Sequence, residues 1–215
     1  MRIADVYRRG NRLRLILDDH NEMCRSPDRS QDLTIEELLI IASERRVSIV
    51  SIDADSPIME TENLLELLIG LKRMGKNVEL SLSPLLSDLI ERTLDMVGSY
   101  ILDCDPEGSE DDFLSNPELH RSLATLIGRN VIIRKTIGFK EPSIEEVVRL
   151  GESVSSVAKT AILHQHGMAH GTASSSMSTD IASEDRMLKL GRALSYHVTH
   201  VILRGEGFRV ELNRH

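Results

Sequence analysis

Asn77-Val78-Glu79-Leu80-Ser81-Leu82-Ser83-Pro84 is the stretch that decides the fold. Side chains on a strand point alternately to its two faces. Val78, Leu80 and Leu82 therefore share an apolar face, and Glu79, Ser81 and Ser83 share a polar one. The same split recurs along the chain. Ser51, Asp53 and Asp55 share a face, as do Asp103 and Asp105, and His164 and His166. A parallel sheet covered by helices on both sides has strands that read as near-continuous apolar runs. Polar groups buried unpaired in such a sheet cost about 1–3 kcal/mol each. A curved sheet around a wet cavity avoids that cost. The expectation is an α/β chain folded as an open, partial (β/α)6 TIM-like barrel with a polar lumen.

The elements around this stretch support the same architecture. Residues 2–8 and 12–19 read as strands around the turn Arg9-Gly10-Asn11. Thr34 with Glu37 forms a capping box for a first helix, and Ser143 with Glu146 forms a second. Strands are expected at 47–54, 77–83, 100–105, 131–137 and 160–166, with a helix at 60–74 ended by Gly75. Ser83-Pro84 and Asn116-Pro117 read as a cap followed by proline at the first helical position. A helix at 183–195 and a hairpin, 198–204 with 208–212, finish the chain. Strand–helix alternation with short connections points to parallel strands. The chain reads as one domain over 1–215, with its core at about 12–196 and a β-hairpin at each end.

Composition limits the function. Hydrophobic residues make up 40% and charged residues 28% of the 215 positions, as in ordinary globular proteins. No apolar run approaches the roughly 18 residues that cross a bilayer. Met1-Arg2-Ile3-Ala4-Asp5 lacks an apolar signal core, so a cytoplasmic protein without a membrane partner is expected. A net charge of −8 and an aromatic content of 3% give no reason to expect nucleic acid. Two cysteines 80 positions apart do not form a disulfide framework.

Ligands of α/β barrels bind at the carboxyl ends of the strands. The expected rim carries Asp53, Asp55, Ser81, Ser83, Asp103, Asp105 and Arg134 as candidate ligand-binding residues. His164, His166 and His170 are candidate metal ligands. Carboxylates and imidazoles converging on a pocket suit a divalent metal or general acid–base chemistry. Each has a plainer alternative. Asp105 before Pro106 fits a turn residue, a strand-end histidine can bond a carbonyl, and the Ser174-Ser175-Ser176 loop fits either a phosphate loop or a surface loop. Cys104 alternates with Asp103 and Asp105, which turns it toward the helices as a small hydrophobe.

His20-Asn21-Glu22-Met23-Cys24-Arg25-Ser26-Pro27 follows the second strand with the spacing of a C-x3-C-x2-C iron–sulfur loop. Only Cys24 is a cysteine; His20 and Pro27 hold the other two places. The order of features resembles the radical S-adenosylmethionine superfamily, in particular the pyruvate formate-lyase activating enzymes. The loop is similar to that family's C-N-x-x-C-x-x-C in length, place and Asn. Ala54-Asp55-Ser56-Pro57 falls where the family has G-G-E-P, and Ser81-Leu82-Ser83 falls at its T-N-G. Leu71-Lys72-Arg73-Met74-Gly75, Ile101-Leu102-Asp103-Cys104-Asp105, Val131-Ile132-Ile133-Arg134 and Ile162-Leu163-His164-Gln165-His166 resemble the following segments. The resemblance covers about residues 12–166.

The resemblance implies a partial barrel, a 4Fe–4S cluster and S-adenosylmethionine. The departures fall on the cluster ligands and the methionine-binding motif, which argues against the cluster and against radical chemistry. One reading is a cluster-free radical-SAM-fold protein that binds a small molecule or a protein partner. A second is a metal-dependent hydrolase or lyase using the Asp and His set. A third is an interaction subunit whose terminal hairpins make a homodimer or heterodimer. A divalent metal and S-adenosylmethionine both stay open as ligands.

Overall fold

Local signals set most element boundaries. The computed structural model describes residues 2–17, 31–54, 61–105, 109–137, 142–165, 182–205 and 207–214. The 20–27 loop, Asp55, His166, His170 and the serine-rich loop lie outside the described residues. Strands β1 (Arg2–Arg9) and β2 (Arg12–Leu17) form the expected antiparallel hairpin, with Gly10 at φ 62 in its turn. A two-residue strand β3 (Gln31–Asp32) pairs with β1. Helix α1 (Ile35–Ser43) starts on the Thr34 capping box: Thr34 N–H donates to Glu37 at 2.8 Å and Glu37 N–H donates to Thr34 Oγ1 at 3.2 Å. There follow β4 (Ile49–Ala54), α2 (Thr61–Arg73), β5 (Asn77–Leu82), α3 (Ser87–Thr93) and β6 (Ser99–Asp103).

The later elements are α4 (Glu110–Leu114), α5 (Pro117–Thr125), β7 (Val131–Ile137), α6 (Ile144–Val154), β8 (Thr160–Gln165), α7 (Glu184–Ser195), β9 (His200–Gly205) and β10 (Phe208–Asn213). Asn116 and Ser143 cap their helices as the sequence predicts, and Ser183 caps α7. Ser83-Pro84 does not open a helix. Ser83 Oγ accepts the Leu85 N–H at 3.3 Å and its carbonyl accepts the Leu86 N–H at 3.2 Å, so a turn forms first and α3 begins at Ser87. None of the described helices is long and apolar enough to cross a membrane.

The chain divides into two compact units, Met1–Leu102 and Asp103–His215. In the first, β2, β4, β5 and β6 run parallel in that order, and β1 and β3 extend the β2 side antiparallel. In the second, β7, β8 and β9 run parallel and β10 closes antiparallel on β9. The C-terminal hairpin is thus wired into the sheet: α7 carries the chain over to a β9 parallel to β8. Among the described strands the order has two ends, β3 and β10, so the sheet is open.

Each unit buries one face of its strands against its helices. In the first, Val50, Ile52, Val78, Leu80 and Leu82 are at most 1% exposed, as are Leu64, Leu67, Leu68 and Leu71 of α2. Burying a side chain of this kind contributes up to about 1.5–3 kcal/mol. In the second, α7 packs on β8 and β9, and Leu163, Leu190, Leu194 and Leu203 are each at most 1% exposed. Gly191 lets α7 approach closely, since a Cβ there would lie 2.7 Å from Leu203 Cδ2 and 3.0 Å from Leu212 Cδ1.

Candidate functional site

The polar strand face of the first unit is not open to water. Ser51, Asp53 and Ser81 are 6%, 5% and 1% exposed. Two arginines of β2 compensate Asp53 and Ser51. Register sets Arg14 beside Ser51 and Ile16 beside Asp53, and each arginine reaches diagonally one pleat onward. Arg14 forms an ion pair with Asp53. Its guanidinium also donates to Tyr7 Oη at 2.5 Å and lies 5.6 Å from the centre of the Tyr7 ring. Arg12 pairs with Glu79 and donates to Ser51 Oγ at 3.1 Å, and Ser51 Oγ donates to Glu79 at 2.9 Å. Burial works against the charged Arg14 guanidinium, but the Asp53 charge and the hydrogen bonds it donates to Asp53 and Tyr7 outweigh it, and its pKa rises.

The second unit repeats the device. Arg134 grips Asp103 through two nitrogens, with Nη2 donating to Oδ2 at 2.8 Å, the fork geometry that favours arginine over lysine. Asp105 Oδ1 accepts the Thr136 N–H at 2.7 Å, so this carboxylate fastens the chain after β6 to β7. Ser83 serves the turn before α3. His164 is exposed at the end of β8, in register with Thr136 on one side and Arg204 on the other.

The opposite face of β7 carries a buried charge that the sequence does not announce. Lys135 alternates with Arg134, so it points with Val131, Ile133 and Ile137 to the buried side. Its ammonium donates to Glu110 of α4 at 3.0 Å and to the Cys104 carbonyl at 3.1 Å. Cys104 is fully buried, as its alternation predicts. Burial pushes its thiol far up, nearby Lys135 pulls it back, and Asp103, Asp105 and Glu110 add to the rise.

The arrangement brings Asp103 together with Arg134, and Asp53 with the unforeseen Arg14. Glu110, Arg12 and Tyr7 were also not foreseen as partners. Their one legible signal is the alternation Arg12-Leu13-Arg14-Leu15, which already places two cations on one strand face. Among the described residues no three His, Cys, Asp or Glu side chains are grouped to hold a metal ion.

No family model matches the chain, and no curated protein matches it. Solved structures do. One is the crystal structure of archaeal TYW1, 15% identical, with a TM-score of 0.54 over 89% of this chain and 74% of that one. Another is TYW1 with a lysine–pyruvate adduct bound, 14% identical, with a TM-score of 0.54 over 89% of this chain and 75% of that one. The chain therefore shares the α/β fold of these structures.

Proposed function

We propose that this chain is a cluster-free protein of radical SAM-like fold that binds a small polar molecule or a protein partner at the carboxyl ends of its strands. The observation that carries the reading is the cysteine inventory. A four-iron cluster needs three or four thiolates. The chain has two cysteines. Cys104 is fully buried on the helix side, its N–H donates to the Arg134 carbonyl at 2.8 Å, and burial disfavours its thiolate. That leaves Cys24 as the one thiol of the loop, so the donor set does not fit the cluster and no radical step is assigned. A lysine–pyruvate adduct has no counterpart at Lys135, whose ammonium is buried and paired with Glu110.

Anaerobic reconstitution with iron and sulfide tests the reading. Substoichiometric iron and no cleavage of S-adenosylmethionine are expected. Four irons per chain, or reductive cleavage, would overturn it. The metal-dependent hydrolase reading is weaker because Asp53 and Asp103 are each already compensated by an arginine. A metal there would have to displace a cation from a low-dielectric face.

A further inference from the structure

Strand β10 is built without the usual guards against pairing. Among the described residues, β9 lies on one side of it and no strand lies on the other. Sheet edges are ordinarily blunted by shortness, proline, lysine or a bulge. The other end of the described strand order follows that rule, since β3 has only two residues. Strand β10 does not. It runs for six residues, Phe208-Arg209-Val210-Glu211-Leu212-Asn213, with no proline, no lysine and an unbroken register with β9.

One hydrogen bond tells which main-chain groups of β10 face outward. Arg214 N–H donates to the Thr199 carbonyl at 2.8 Å, one pair beyond Asn213 and His200. Hydrogen-bonded pairs alternate along an antiparallel ladder. Leu212, Val210 and Phe208 therefore aim their N–H and C=O groups at β9, and Arg209, Glu211 and Asn213 aim theirs away from it. The side chains divide the same way. Phe208, Val210 and Leu212 are half-buried on the side of α7, where Leu212 lies close to Gly191. Arg209 and Glu211 are exposed on the other face and joined to each other at 2.6 Å.

The strand is self-complementary about Val210. Laid antiparallel on a second copy with Val210 at the twofold axis, Arg209 of each copy stands opposite Glu211 of the other. Phe208 stands opposite Leu212, and Val210 opposite itself. The Arg209–Glu211 pairs are then the hydrogen-bonded ones and exchange about four main-chain bonds. The ion pair inside each strand becomes part of an array of alternating sign, and the half-buried apolar row continues across the seam. Other registers lose this match. An axis at Arg209 or at Glu211 sets like charges face to face, and a one-residue slip sets polar residues against apolar ones. We infer that β10 is a dimerisation edge, which pairs antiparallel with β10 of a second copy of this chain, centred on Val210. The inference is independent of what the strand ends bind.

Sedimentation velocity of the full chain over about 1–500 μM tests it. A contact confined to one strand belongs to the small, weak class, so a monomer–dimer equilibrium with a Kd of about 10–100 μM is expected. Arg209→Glu and Glu211→Arg each set two like-charged pairs across the seam, and each should weaken the dimer about tenfold or more. The double variant Arg209→Glu/Glu211→Arg should dimerise again. An equimolar mixture of the two single variants should form a heterodimer where neither variant pairs with itself, because every cross-strand pair is then opposite in sign. Amide hydrogen exchange on the wild-type chain needs no variant. Protection of the Arg209 and Glu211 N–H groups should rise with protein concentration, while the Val210 N–H, already bonded to β9, should be protected throughout. A monomer at every concentration would overturn the inference. So would a dimer indifferent to both charge reversals, which would place the interface elsewhere, or exchange at Arg209 and Glu211 that ignores concentration.

Discussion

Removing the Glu110 charge should destabilise the second unit by about 3 kcal/mol, and removing its partner as well should restore most of that. Lys135 and Glu110 side chains are 5% and 7% exposed, with Nζ and Oε2 3.0 Å apart. At an effective dielectric of about 20 their attraction is roughly 5–6 kcal/mol. Desolvating the two ions costs several kcal/mol each, so the intact pair is close to break-even against apolar residues. A single deletion leaves one buried charge uncompensated, which costs about 3–5 kcal/mol. Gln at 110 still offers an acceptor to the ammonium, which places Glu110→Gln at the lower end. Lys135→Met should cost a similar amount, since it strands the Glu110 carboxylate and the Cys104 carbonyl. The double variant Lys135→Met/Glu110→Leu should lie within about 1 kcal/mol of wild type or be more stable. Urea unfolding near neutral pH, followed by circular dichroism and fitted at constant m, measures all four corners of the cycle. A Glu110→Gln cost below about 1 kcal/mol, or a double variant equal to the sum of its singles, would refute the reasoning.

Arg14→Ala should cost about 3 kcal/mol in the same assay, because Asp53 is left 5% exposed without its cation, and Arg14→Lys should recover only part of it. Gly191→Ala pits a helix-propensity gain of about 1 kcal/mol against overpacking of about 1–3 kcal/mol on Leu203 and Leu212. A net loss of about 1 kcal/mol is expected, and a stabilised variant would show that α7 is free to shift away. The Arg209 hydrogen bond and charge hold the Glu211 carboxyl below the usual carboxylate range. With the folded pKa depressed, its contribution is present above the unfolded value and lost as pH falls through the folded one. The urea midpoints of wild type and Glu211→Gln should therefore differ near neutral pH and converge in acid; a difference that persists at low pH would contradict the assignment.

Capping chemistry is local, and it was legible. The boxes at Thr34 and Ser143 form as the sequence predicts, because each needs only residues three apart. Ser83-Pro84 failed for the same kind of reason: a serine before proline serves a turn as readily as a cap. Strand alternation gave the polar faces but not their contents. Reading Asp53 and Asp103 as an open rim overlooked that a carboxylate's partner is set by register, and one sequence does not display register. Arg14 meets Asp53 across 39 positions and Arg134 meets Asp103 across 31. The parallel setting of β9 was hidden likewise: the hairpin turn is a short-range signal, while pairing with β8 depends on how α7 carries the chain back. Lys135 was hidden by its place in the β7 run Val131–Ile137, where nothing nearby announces a buried partner.

Cys104 has a practical consequence for handling the protein. A thiol that is fully buried and held protonated reacts with alkylating reagents only when the chain opens around it. With two cysteines in the sequence, any label taken up by the folded chain resides on Cys24. Uptake of a second label then becomes a clock for the opening of the chain around Cys104. The buried cysteine thus acts as an internal stopwatch for local opening of the fold.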